Sequence, residues 1–171
     1  DAGRVHVILR RAGAVASIEP SAGALLGRRK VCSAPRGIAF DPTTGMLRVA
    51  CAGGELVSLP AHGGEVAGRV ELGADLRDVI IAGGTTYLTR FKRAELLVLD
   101  AGDTLVSAQR PQRTHGVYLE PDGSRLVDAL EPEVAWRTVL GHDGTLVMLH
   151  QGARNGALHL DGDQPYAGTS G

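Results

Sequence analysis

The chain has 171 residues, of which 43% are apolar and 22% are charged, and its formal net charge is −1. This length fits one domain with a real core, and the composition is ordinary for a globular protein. The balanced charge excludes the broad basic field that nucleic-acid binding uses, and no apolar run of about 18 residues predicts a membrane span.

Short apolar runs, separated by Gly, Pro and Asp turn signals, recur along the whole chain. In chain order they read VHVIL, GIAF, MLRVAC, ELVSLP, DVIIAG, ELLVLD and TLVMLH. Runs of this length with close turn signals are typical of β-strands. The nearest helical candidate, SAGALLGRRK, contains Gly23 and Gly27, which weaken a helix. The sequence therefore predicts an all-β fold.

The predicted strands recur in groups of four. Residues 37–72 contain GIAF, MLRVAC, ELVSLP and EVAGRVEL, and residues 76–111 contain DVIIAG, TYLTRF, ELLVLD and TLVSAQR. Glu55 and Glu95 begin matching strands at a shift of about 40 residues, which is the period of a four-stranded β-propeller blade. A β-sandwich would explain the strand spacing but not the matched positions. We therefore predict a single β-propeller region over residues 1–171.

Incomplete repeats stand at both ends of the chain. Residues 5–33 match a blade without its first strand, and residues 133–160 match the first three strands of another. Between them, residues 112–131 read either as the first hairpin of a blade or as an insertion before a blade that starts near Trp136. Residues 161–171 read as a tail. We expect three to four antiparallel blades, in a small closed propeller or in part of a larger one, and an incomplete ring with unpaired edges.

Cys32 and Cys51 are the two cysteines of the chain. A zinc site needs about four ligands, usually in close pairs, and a thioredoxin-like site needs C-x-x-C, and the sequence has neither pattern. Two separate buried thiols are an alternative. Cys32 lies at the link between two predicted blades, and Cys51 ends the second strand of the later blade. We therefore predict a disulfide between them, which implies an oxidising compartment.

Arginines mark one repeated position. Arg36, Arg77 and Arg137 precede the apolar first strand in RGIAF, RDVII and RTVLG, and the first strand of a propeller blade lines the central channel. We predict an anion-binding set at the channel, because guanidinium groups bind carboxylates and phosphates through paired hydrogen bonds. The remaining members of the predicted set lie near the ends of second strands: Arg10, Arg90 and His150.

The alternative is that each arginine pairs with a neighbouring acid such as Asp78 or Asp41. In the sequence, Asp78 adjoins Arg77 but no acid adjoins Arg36 or Arg137. Arginine cannot lose its proton to relieve repulsion. We therefore expect incomplete internal compensation of these charges, which favours a bound anion.

No catalytic motif stands out. The chain has no G-x-S-x-G elbow, and its Gly-rich stretches AGGEL and IAGGTT lie between predicted strands, as hairpin turns do. We predict no catalytic residue, no cofactor and no metal ligand, and we expect no activity in this chain alone.

The stretches PRGIAFDPTTGMLRVACAGGELVSLP and GVYLEPDGSRLV resemble the YVTN/NHL-type β-propeller repeats of secreted bacterial proteins. The stretch AWRTVLGHDGTLVMLHQ, followed by YAG, resembles the propeller part of exported proteins that carry a c-type cytochrome, di-haem-peroxidase-like, domain elsewhere. The chain departs from that subgroup because it has no C-x-x-C-H, so no haem is attached to it.

The resemblance implies a periplasmic or extracellular protein. On this basis we expect a non-enzymatic binding or scaffold propeller that docks a protein partner, a neighbouring domain or a small anionic ligand. The alternative is the propeller section of a periplasmic cytochrome-containing redox enzyme whose haem domain lies outside this chain. A lactonase-type propeller hydrolase is less favoured, because its channel calcium site would need Asn, Asp and Glu where the first strands carry arginine.

Overall fold

The computed structural model describes residues 3–119 and 122–154, and fourteen strands in these residues form four antiparallel sheets. The YAG motif, the predicted tail and residues 155–160 of the last predicted blade lie outside the described residues. No α-helix occurs in the described ranges, so the all-β prediction is confirmed. None of the helical structure in these ranges is long and apolar enough to cross a membrane.

The first sheet has three strands and the second has four. The first sheet consists of β1 (Val5–Leu9), β2 (Ala14–Glu19) and β3 (Ala24–Lys30), with a 3-10 turn at Arg10–Ala12 between β1 and β2. The second sheet consists of β4 (Pro35–Asp41), β5 (Met46–Cys51), β6 (Glu55–Pro60) and β7 (Gly68–Glu71).

The third sheet has four strands and the fourth has three. The third sheet consists of β8 (Leu76–Ala82), β9 (Thr85–Arg90), β10 (Glu95–Leu99) and β11 (Leu105–Gln109). The fourth sheet consists of β12 (Thr114–Leu119), β13 (Arg125–Leu140) and β14 (Leu146–Arg154). Within each sheet, strands adjacent in sequence pair with one another, as in a propeller blade.

Two apolar cores hold the first three sheets together. The core between the first and second sheets includes Val15, Leu47 and Val57, and the core between the second and third includes Leu56 and Leu88. Their side chains lie on the buried faces that the alternating strand patterns predict. Each such side chain contributes about 1.5–3 kcal/mol on burial, so the packed faces fix how neighbouring sheets lie against each other.

The sixteen-residue strand β13 belongs to two hairpins. Its first part pairs with β12 from Arg125 to Leu130, and its second part pairs with β14 from Leu130 to Leu140. The segment before Trp136, for which the sequence allowed either a hairpin or an insertion, therefore contains the β12–β13 hairpin. Strand β13 then continues without a break to Trp136. The Ala135 amide donates to the Phe91 carbonyl at 2.6 Å, and this contact holds β13 against the end of β9.

The disulfide prediction is confirmed. Cys32 lies in the link between β3 and β4, and Cys51 ends β5, with the two sulphurs 2.07 Å apart and the Cα atoms 6.3 Å apart. Cys51 is buried in the first core. The bond therefore ties the link between two sheets to the end of the second strand of the later sheet.

Candidate docking site at the channel mouth

A β-bulge occurs near the start of β4 and of β8, and again inside β13. In β4, Pro35 pairs with Cys51 but Gly37 pairs with Ala50, which leaves Arg36 as the extra residue. A bulge turns the extra side chain away from its regular direction. In β8, Arg77 and Asp78 together oppose Thr89, and in β13, Trp136 is the extra residue between Ala135 and Arg137. The bulge residues that contact Phe91 are Arg36, Arg77 and Trp136.

The prediction that Arg137 occupies the repeat position of Arg36 and Arg77 is wrong by one residue. Arg137 pairs with Leu149, as Gly37 pairs with Ala50, and Trp136 stands where the other sheets carry arginine. The physical reason is that the cross-strand partner decides which residue is bulged. That partner cannot be read from the apolar run that follows each arginine.

The three bulged residues converge on Phe91, which follows β9. The guanidinium carbons of Arg77 and Arg36 lie 4.6 and 5.7 Å from the centre of the Phe91 ring. The Trp136 ring meets Phe91 edge-on at 5.6 Å between centres. The Phe91 amide donates to the Asp75 carbonyl at 2.9 Å, which helps to fix the ring. Cation–π and edge-to-face contacts of these geometries are attractive, so three sheets meet around one aromatic ring.

Sequence reasoning missed Phe91 and Trp136. The chain has two Phe and one Trp, so the aromatic residue that ends the predicted second strand TYLTRF was an available signal. Aromatic residues and arginine are enriched where proteins bind partners. Their position next to one another depends on the bulges, which sequence did not show.

Acids compensate the arginines more fully than the sequence predicts. Arg36 Nη1 lies 2.8 Å from Asp75 Oδ1, and both side chains are largely buried. Arg137 Nη1 lies 3.4 Å from Asp78 Oδ1. The expectation of incomplete compensation is therefore wrong for Arg36 and Arg137. Asp78 neutralises Arg137 rather than its sequence neighbour Arg77.

Arg77 is the exception. It has no acid partner among the described residues, and its Nε is buried without a hydrogen-bond partner there. Its guanidinium lies against Phe91 instead. The nearby Asp78 carboxylate already accepts from the Thr138 amide at 2.8 Å. A cation held in place by an aromatic ring, with spare hydrogen-bond donors, is the feature of this site that can receive an anion.

A groove of about 580 Å³ runs beside this cluster and is lined by residues of β4, β8 and β13, together with Ile8 of β1. Arg36, Asp78 and Arg137 are its charged residues, and the rest of its wall is mostly aliphatic, with Ile38 and Ile80 as examples. Concave sites with apolar walls and a few polar groups are the usual form of ligand pockets.

The other predicted residues have different surroundings. Arg90 pairs with Glu95 at 3.0 Å and donates to the Leu72 carbonyl. Arg10 is exposed in the 3-10 turn after β1, and His150 is half-buried on β14, opposite Ala135. Among the described residues, no hydrogen bond or ion pair joins Arg10 or His150 to the Phe91 cluster.

Sequence comparisons give no relative: no family model matches the chain, and no curated protein matches it. Structure comparisons give several neighbours. Hydrazine synthase of Kuenenia stuttgartiensis is 17% identical with a TM-score of 0.65, over 91% of this chain and 54% of that one. BamB from Moraxella catarrhalis is 16% identical with a TM-score of 0.54, over 78% of this chain and 41% of that one.

A nidogen/laminin complex also matches, at 17% identity and a TM-score of 0.54, over 64% of this chain and 44% of that one. The chain therefore spans between 41% and 54% of the length of these three structures. At such low identity, the likeness concerns the fold alone. These neighbours are β-propeller proteins, and the chain has the β-propeller fold that its repeat predicts.

Proposed function

We propose that this propeller is a non-enzymatic binding or scaffold module of an exported bacterial protein, and that it docks a partner domain or an anionic ligand at the channel mouth. The observation that carries the proposal is the convergence of Arg36, Arg77 and Trp136 on Phe91, with Arg77 lacking an acid partner among the described residues. Export is supported by the disulfide and by the resemblance to YVTN/NHL-type repeats.

The chemistry of the mouth suits a carboxylate or a phosphate. Arg77 is held by the Phe91 ring, so little side-chain freedom is lost when its guanidinium binds an anion. Arg36 is fixed by Asp75, and Arg137 is exposed at the side of the groove. The aliphatic wall would receive the apolar part of a ligand or of a partner side chain. This proposal gives the other predicted residues, Arg10, Arg90 and His150, no direct contact with the anion, and Arg90 is already paired with Glu95.

Titration of the protein with citrate and with inorganic phosphate at low salt, followed by calorimetry, tests the proposal. We expect the wild type to bind and Arg77→Gln to bind about tenfold more weakly, because hydrogen bonds to charged groups contribute about 1.5–3 kcal/mol. Arg28→Gln is the matched control, since Arg28 is exposed on the outer strand β3. Absence of binding by the wild type, or equal binding by Arg77→Gln, would show that the proposed anion site is wrong.

A further inference from the structure

The loops of the first three sheets lie on two opposite rims. Because neighbouring strands are antiparallel, the turns that follow β1, β5 and β9 and the links between sheets lie on one rim, here called the mouth rim. The remaining turns lie on the opposite rim. Phe91 and Asp75 belong to the mouth rim, so the Phe91 cluster lies on that side.

The two rims carry opposite charge. The loops of the mouth rim contain one acid, Asp75, and six basic residues: Arg10, Arg11, Lys92, Arg93, Arg110 and Arg113. In the first three sheets, the turns of the opposite rim contain no Lys or Arg and carry three acids, Glu65, Asp100 and Asp103, of which Asp103 pairs with Arg48. The loops of the two rims therefore differ in charge, although the formal net charge of the chain is −1.

Part of the positive charge is not compensated. Arg113 Nε lies 2.5 Å from Glu131 Oε1, and Arg110 Nη2 lies 3.6 Å from Glu133 Oε1. The four exposed cations in two turns have no ion pair within the described part of the chain: Arg10, Arg11, Lys92 and Arg93. These turns connect β1 to β2 in the first sheet and β9 to β10 in the third sheet, which match the second and third strands of a complete blade. The uncompensated charge thus repeats at equivalent places of two sheets.

A hollow of about 360 Å³ lies beside the turn of the third sheet that carries two of these cations. Lys92, Arg93 and Arg90 line it together with Asp75. Lys92 directly follows Phe91, whose ring contacts Trp136, and Trp136 is 49% exposed. Phe91 therefore links the half-exposed tryptophan to the turn that lines the hollow. Tryptophan beside basic residues is a common anchor in protein interfaces.

We infer that the mouth rim binds an acidic, extended segment of another protein, with its carboxylates on Lys92 and Arg93 and an apolar side chain on Trp136. The inference rests on the proposed docking function and deepens it by naming the chemistry of the partner. A nucleic acid is less favoured, because four uncompensated cations form a small field and the opposite rim is acidic. Exposed charges of this kind mainly attract a partner and set its orientation.

The test uses a short synthetic Glu-rich peptide with one central leucine, and fluorescence anisotropy at low salt. We expect the wild type to bind it, with an affinity that falls as salt rises. Lys92→Glu and Arg93→Glu should each weaken binding about threefold, and the double variant about tenfold, because exposed ion pairs are individually weak. Arg28→Glu, which makes the same change in net charge on β3, should bind as the wild type does.

Three results would overturn the inference: no binding of the Glu-rich peptide, equal binding of a peptide with Gln in place of Glu, or unchanged affinity of the double variant. Tighter binding of a single-stranded oligonucleotide would also overturn it, in favour of a nucleic-acid partner. The proposed anion site is tested separately by citrate and Arg77→Gln. If Arg77→Gln no longer binds citrate while the Lys92→Glu/Arg93→Glu variant still binds the peptide with unchanged affinity, the proposed anion site is supported and the mouth-rim inference is wrong.

Discussion

At Gly37 the first strands of the second and third sheets approach so closely that no side chain fits. A Cβ atom at this position would overlap the Arg77 carbonyl oxygen. Gly37 follows the bulged Arg36, so the same residue that admits the close approach also sets where Arg36 and Arg77 meet Phe91. The missing side chain at Gly37 therefore helps to place Arg36 and Arg77 around Phe91.

We expect Gly37→Ala to lose about 1–3 kcal/mol of unfolding free energy, because overpacking against backbone forces a shift. Gly27→Ala is the matched control: Gly27 is exposed on β3, and a Cβ there would meet nothing within 4 Å. The control should be neutral or gain up to about 1 kcal/mol, since alanine restricts the unfolded chain. Urea unfolding measures both. Equal stability of the two variants would show that the strands can separate at no cost.

At the scale of elements, the disulfide joins two positions of the backbone at a sequence separation of 19. The closed loop contains β4 and β5, the first hairpin of the second sheet. A bond of this kind mainly restricts the unfolded chain, and a loop of this length corresponds to about 3 kcal/mol in the chain-entropy model.

The double variant Cys32→Ser/Cys51→Ser should therefore unfold at lower urea, with a loss of about 2–4 kcal/mol. The wild type measured in reducing agent should approach the variant, and the variant itself should not respond to the reducing agent. Counting free thiols in the denatured, unreduced wild type gives an independent check. Two free thiols, or no difference in the urea midpoint, would contradict the prediction.

The strands were predictable from sequence where alternation and turn residues agree. MLRVAC and ELVSLP coincide with β5 and β6, because their apolar residues face a core and Gly-containing turns end them. The path of β13 was not predictable. A sixteen-residue strand shared by two hairpins depends on pairing partners before and after it, and local pattern does not record them.

The candidate site was predictable only in part, for a related reason. Arg36 and Arg77 share a repeat position that can be read from the chain. That Trp136 takes this position in the fourth sheet depends on a bulge, and that Asp75 pairs with Arg36 depends on the packing of two sheets. Most of this site is formed by contacts between residues that are distant in sequence.

At the scale of the whole molecule, the fourth sheet leaves one apolar face exposed. Val147 and Leu149 alternate along β14 on the side of Val139, and the register continues this side onto Val117 and Val127. These five side chains are between 46% and 64% exposed. Glu133 and Gln151 lie on the same side between the two groups, so these side chains form two apolar patches, and we expect the patches to associate with other apolar surface.

We therefore expect the mass of the isolated chain in sedimentation experiments to rise with protein concentration. The double variant Val147→Lys/Leu149→Glu keeps the net charge and should lower this association, while its unfolding free energy changes by less than about 1 kcal/mol, as surface substitutions usually do. The matched control is Leu105→Glu/Val106→Lys, which changes two exposed residues on the outer strand β11 in the same way. If the control lowers association as much as the variant does, general hydrophobicity is responsible. If the wild type stays monomeric at high concentration, the exposed face does not drive self-association, and the prediction is wrong.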